Sequence, residues 1–134
     1  MFTLSIVTPE KIYFEGEVSS IIVPGSQGYL GVLTDHAPLI TAVNPGKLTV
    51  KDKSGKEFIL AVSFGFFEIS SNHATLLVDS AEHLPDINPD RARQSLERAK
   101  QRLAEHRPEI DSGRAQRSLE RARNRLRILR EMKG

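Results

Sequence analysis

An all-β N-terminal domain, built as a two-sheet β-sandwich and followed by a C-terminal antiparallel α-helical hairpin, is the fold this sequence predicts. Three observations lead there. Residues 1–86 are short runs of Val, Ile, Leu and Phe broken by clusters of Gly, Pro, Asp and Ser. Residues 91–103 (RARQSLERAKQRL) return at an offset of 23 as residues 114–126 (RAQRSLERARNRL), with nine of thirteen positions identical. The 134 residues suit one main domain plus an appendage.

The strand signals come in order along residues 3–8, 17–23, 47–50, 58–62, 66–70 and 74–78. Pro24-Gly25-Ser26, Asn44-Pro45-Gly46 and Asp52-Lys53-Ser54-Gly55 supply turn chemistry between them, and residues 51–56 read as a hairpin turn. Nearly all the Phe and Ile fall in this part, so the main core does too. A two-layer sandwich buries such runs at this length.

The repeat predicts helices over about residues 89–104 and 112–130. Apolar residues step by four and three: Ala92, Leu96, Ala99, Leu103, then Ala115, Leu119, Ala122, Leu126, Leu129. That is one amphipathic stripe per helix, and its alanines let the two helices approach closely. Asn88 is placed to cap the first helix, Pro89 loses no useful donor at the next position, and Asp90 puts negative charge in the first turn. Pro108 closes that helix and makes the turn. Asp111 is placed to cap the second helix, in which Gly113 is a weak point costing roughly 1 kcal/mol or less. Two or three Leu per stripe bury little surface, so this element is expected to open or change partner at small cost.

Composition narrows the function. There is no Cys, hence no disulfide and no thiolate metal site. The chain shows no membrane-length apolar run, and its N-terminus enters a strand pattern at once, which predicts no signal peptide and a cytosolic or cytosol-facing protein. Net charge is +2, but residues 89–134 carry +7 and residues 1–88 carry −5. Of the 14 basic residues in the helical part, 12 are Arg, whose planar fork suits carboxylates and phosphates. The plainer explanation is a solvated helix face stitched by Glu–Arg neighbours. Recurrence of the arginines at fixed places beside the apolar stripe favours anion recognition.

Several segments together resemble the epsilon-subunit family of F-type ATP synthases over the whole length. They are Ser5-Ile6-Val7-Thr8-Pro9-Glu10; Gly28-Tyr29-Leu30-Gly31-Val32-Leu33 with Asp35-His36-Ala37-Pro38-Leu39; Pro45-Gly46; Ala61-Val62-Ser63 before Gly65-Phe66-Phe67-Glu68-Ile69; and Asp79-Ser80-Ala81-Glu82. The chain departs from the family pattern at Tyr29 (usually Glu), at Thr34-Asp35 (usually Pro-Gly) and at Phe64 (usually Gly).

The resemblance implies a non-catalytic rotor subunit at the foot of the central stalk, coupling rotation to ATP synthesis. It would be peripheral to the cytoplasmic face of a bacterial plasma membrane, touching the membrane only through the complex. It implies residues 1–86 as the domain that meets the gamma subunit and c-ring, with Tyr29, Leu30, Asp35 and His36 at that interface. It implies residues 87–134 as a mobile regulatory pair of helices that extends into the alpha/beta catalytic hexamer and blocks ATP hydrolysis. No cofactor is required, and ATP is implied as a regulatory ligand. The family nucleotide motif I-D-x-x-R-A corresponds to Ile87-Asn88-Pro89-Asp90-Arg91-Ala92, with Asn for Asp. Glu82, Ile87, Asn88, Arg91, Ala92, Arg98, Arg121 and Arg125 are the implied contacts, the arginines on phosphates and Glu82 with Ile87 at the base. Ile110-Asp111-Ser112-Gly113-Arg114-Ala115 repeats the motif and reads as a capped helix start.

Catalysis by the chain itself finds no support. There is no G-x-x-x-x-G-K-[ST] loop, the histidines at 36, 73, 83 and 106 lack metal spacing, and no nucleophile stands beside a base. His36 reads as an interface or structural residue. A basic helical hairpin binding nucleic acid is the alternative, but the helices carry no aromatic residue and the β part is acidic.

Overall fold

The structure, a computed structural model, describes residues 1–105 and 112–133. In order the elements are β1 (Phe2–Val7), β2 (Ile12–Gly25), β3 (Gly28–Leu33), β4 (Leu39–Val43), β5 (Gly46–Asp52), β6 (Glu57–Val62), β7 (Gly65–Ser70), β8 (His73–Val78), β9 (Ala81–His83), a 3-10 turn (Leu84–Asp86), α1 (Pro89–Glu105) and α2 (Ser112–Lys133). They fall into two compact units, Met1–Leu84 and Pro85–Gly134. No helix among the described residues is long and apolar enough to cross a membrane.

The first unit is a β-sandwich whose layers share one long strand. β2 runs 14 residues. Its first half pairs antiparallel with β1, from Phe2↔Val18 to Ile6↔Phe14. Its second half pairs with β3, from Ser20↔Leu33 to Gly25↔Gly28, and with β5, from Val18↔Asp52 to Ile22↔Thr49. One layer is therefore β4-β7-β8-β1-β2 and the other β3-β2-β5-β6-β9. Ser19 is the extra residue where the register with β5 shifts, and its hydroxyl donates to the carbonyls of Lys51 (3.2 Å) and Asp52 (3.3 Å). A bulge there bends β2 at the point where it passes between layers.

Alternation explains the core. Phe2, Leu4 and Ile6 of β1 are buried while Thr3, Ser5 and Val7 are not, as a period of two requires. Val18, Ile21, Val23, Val32, Leu48, Val50, Leu60, Phe67, Ile69 and Leu76 complete the interior. The structure adds β3, β4 and β9 to the six expected runs and starts β2 at Ile12. Local propensity missed them because Gly28, Gly31 and Pro38 dilute the strand signal; pairing against β2, β7 and β6 supplies what propensity lacks.

The second unit is two packed helices. α1 and α2 are joined by only six residues, a connection length that goes with antiparallel neighbours in a helical pair. Their packing divides the expected stripe into buried and half-buried positions. The fully buried positions are Ala92 and Ala99 on α1 and Ala115, Leu119 and Ala122 on α2. Leu96, Leu103, Leu126 and Leu129 are only half-buried. Alanines let the backbones approach closely, and these four leucines flank the buried positions. Asn124 and Ile128, off the expected stripe, are buried too. The Pro108 turn, the Asp111 cap and the first two residues of the second motif copy, Ile110 and Asp111, lie outside the described residues.

Candidate docking faces and anion-contact residues

β7 and β8 each carry an apolar doublet, Phe66-Phe67 and Leu76-Leu77. A strand sends successive side chains to opposite faces, so one member of each must face out. Phe67 and Leu76 are buried; Phe66 is 61% exposed and Leu77 50%. Registers Ala42↔Phe66 and Phe66↔Leu77 set Ala42, Phe66 and Leu77 in one row across β4, β7 and β8. Val7 and Pro9 extend its lining into a cleft of about 640 Å³. Ile40, 70% exposed, lies on the same outward face two residues along β4. The sequence reading missed this row, although the adjacent apolar pairs were its signal. Such an apolar row on a sheet face is a candidate docking surface.

Gly65 opens β7 beneath that row. A Cβ at this position would lie 1.8 Å from the Leu77 carbonyl oxygen. Of the Gly-Gly place occupied here by Phe64-Gly65, the second position is the one the backbone demands.

The four residues assigned to the ring and gamma interface do not form one cluster. Tyr29 and Leu30 start β3, whereas Asp35 and His36 follow its end, about 13 Å along the strand. Tyr29 is 59% exposed, and its hydroxyl accepts the Lys47 amide at 3.1 Å. Leu30 is half-buried and packs against the core. Asp35 and His36 sit in the turn between β3 and β4. The His36 amide donates to the Leu33 carbonyl at 3.3 Å, and Asp35 has φ of 65°. The His36 Nδ1 donates to the Ala37 carbonyl at 2.6 Å.

Of the anion-contact residues, Glu82 lies on β9 opposite Ala61 in the first unit, and the other seven lie in the second. Asn88 caps α1: its Oδ1 accepts the amides of Asp90 (2.9 Å) and Arg91 (3.2 Å), and its carbonyl accepts the Ala92 amide at 3.0 Å. Arg93 pairs with Asp90 in the same turn. Arg91 and Arg98 are exposed and share one side of α1, two turns apart. Arg121 and Arg125 are half-buried, one turn apart on α2, and Arg121 donates to the Ser118 hydroxyl at 3.2 Å. Ile87 and Ala92 are buried. Ala92 is thus packed inside the second unit in this arrangement.

Comparison with known proteins follows the two units. Residues 1–84 match the family described as ATP synthase, Delta/Epsilon chain, beta-sandwich domain, and residues 86–130 match its long alpha-helix domain. The chain is 44% identical over 103 residues to the ATP synthase epsilon chain of Protochlamydia amoebophila, covering 77% of this chain and 70% of that one. It is 45% identical over 100 residues to the epsilon chain of Moorella thermoacetica, covering 75% of each. A chain of the Euglena gracilis mitochondrial ATP synthase (OSCP/F1/c-ring) superposes with a TM-score of 0.76 at 21% identity, covering 94% of this chain and 79% of its own, a likeness of fold.

Proposed function

The chain belongs to the ATP synthase delta/epsilon chain family, and on that premise we propose that it is a central-stalk subunit that docks through its sandwich and regulates ATP hydrolysis through its helices. A member of this family is a subunit of the synthase and not a catalytic chain. The chain would sit on the cytoplasmic face of a bacterial plasma membrane, held there through the complex.

The apolar row Ala42–Phe66–Leu77, with Phe66 and Leu77 exposed, is the observation that carries this reading. It gives gamma an apolar face at one end of β4, while the Asp35–His36 turn at the other end is left to meet the c-ring. Opposite ends of one strand can be engaged together. The alanine-lined helix pair supports the regulatory half. Its close seam buries little apolar area, so opening costs little, and its net +7 suits acidic surfaces of the alpha/beta hexamer. Arg91 next to the Asn88 cap and Arg98 two turns further along the same side of α1 support ATP as the ligand that holds the pair folded, a population shift by differential binding.

The test replaces Phe66 and Leu77 together by Glu and measures rebinding to synthase stripped of this subunit. Both side chains are exposed, so folding is retained. Affinity is expected to fall at least tenfold, and unchanged affinity would overturn the assignment of this face.

A further inference from the structure

The turn joining β3 to β4 needs a conformation its residues do not favour. Leu33 accepts the His36 amide across four residues, and among Thr34 and Asp35 only Asp35 has positive φ, 65°. That is the pattern of a type II turn, whose third position ordinarily holds Gly or Asn. Asp there carries a steric cost that the turn itself does not offset.

Asn72 supplies the offset from a distant part of the chain. Its Oδ1 accepts the Asp35 amide at 2.7 Å, and its Nδ2 donates to Asp35 Oδ1 at 2.9 Å. Two hydrogen bonds in opposite senses lock the Asp35 backbone and side chain together. Asn72 is itself well anchored. It is the second residue of the two-residue β7–β8 turn, with Ser71 and Asn72 both at positive φ (49° and 61°), and its carbonyl accepts the Thr3 amide at 3.0 Å. Asn tolerates this backbone region readily. One amide side chain therefore ties the β3–β4 turn to the β7–β8 hairpin and to β1.

We propose that Asn72 is a positioning residue for the docking turn: its clamp on Asp35 holds Asp35 and His36 in the shape presented to the partner. The proposal rests on the reading of this turn as the face toward the c-ring. It assigns a role to a residue that lies outside the turn itself.

Asn72→Gly is the test variant. Gly keeps the positive φ of the β7–β8 turn, so the hairpin survives while the clamp is lost. Amide hydrogen exchange of the full chain, read by NMR, is expected to quicken at least tenfold at Asp35 and His36, with little change at Ser70 and His73. In an Asp35→Gly background the turn holds its own conformation, so adding Asn72→Gly should leave the His36 amide unchanged. Equal exchange at Asp35 and His36 in Asn72→Gly and the parent overturns the proposal. So does a quickening at His36 of the same size in the Asp35→Gly background, since the effect would then not run through Asp35. Binding to detergent-solubilised c-ring separates the premise: a loosened turn with several-fold weaker ring binding supports both, whereas a loosened turn with undiminished ring binding keeps the clamp and removes the ring from this face.

Discussion

The Lys47 amide donates to the Tyr29 hydroxyl at 3.1 Å, bridging β3 to the start of β5. The ring lies against Gly46, where a Cβ would come within 3.0 Å of the same hydroxyl and 2.4 Å of Pro24 Cβ. Tyr29 thus straps a corner of the sandwich as well as presenting an aromatic face. The strap is solvent-exposed, so water replaces the lost bond at small cost. We predict that Tyr29→Phe lowers unfolding free energy by about 0.5 kcal/mol, measured by urea denaturation. A loss well above 1 kcal/mol would mean the hydroxyl has a role beyond the strap.

Gly65 should tolerate nothing larger. Ala would set its methyl 1.8 Å from the Leu77 carbonyl, which sits in the β7–β8 ladder and cannot yield without breaking it. We predict that Gly65→Ala costs about 3 kcal/mol, whereas Phe64→Gly costs far less. Comparable losses in the two variants would contradict the clash.

These two residues show what can be read from sequence and what cannot. Alternation and turn chemistry were enough for the all-β domain, because a buried face writes a period of two into Phe2-Leu4-Ile6. The repeat was enough for the helices and Asn88 for the first cap. Tyr29–Lys47 and Asp35–Asn72 join residues 18 and 37 positions apart, and no local pattern carries such pairs. The hairpin seam was half legible: the stripe was right, but propensity cannot say that Ala takes the centre while Leu96 and Leu103 flank it. The apolar doublets at Phe66 and Leu77 were visible and passed over, since apolar residues in strands were read as core.

Asp52 gives the β5–β6 turn a pH dependence. Its carboxyl lies below the ordinary value of 3.8, chiefly because the Ser54 hydroxyl donates to it, with the Lys56 and Ser54 amides and the Lys56 charge adding to the effect against some desolvation. A carboxyl depressed in the folded state contributes stability that is present above its unfolded value and lost as pH falls through the folded one. We predict that the parent melts higher than Asp52→Ala at pH 7 and that part of this gap disappears below pH 3.8, measured by thermal melts from pH 7 to pH 2. A gap constant with pH would mean the carboxylate form is not what the turn holds.

Asn88 separates capping from ligand binding. Because its Oδ1 takes two first-turn amides, Asn88→Ala should destabilise α1 by about 1 kcal/mol, while Asn88→Asp keeps the cap. On the proposed reading ATP binds the parent saturably in calorimetry, and Arg91→Ala with Arg98→Ala abolishes this without disturbing the cap. No heat at millimolar ATP in the parent would leave the arginines to the extended or packed states alone.

Ala122 tests whether the folded pair of helices is the permissive state. It is fully buried at the seam, and Leu there must push the helices apart, at about 1–3 kcal/mol. The sandwich is a separate unit, so its docking on the stalk should be retained. Only the balance between folded and extended helices moves, toward the extended form. If that form blocks the catalytic hexamer, synthase rebuilt with Ala122→Leu hydrolyses ATP more slowly than with the parent, and removal of residues beyond Asp86 restores the rate. Faster hydrolysis with Ala122→Leu would mean that the folded pair is the inhibitor, because opening it would then have relieved the block.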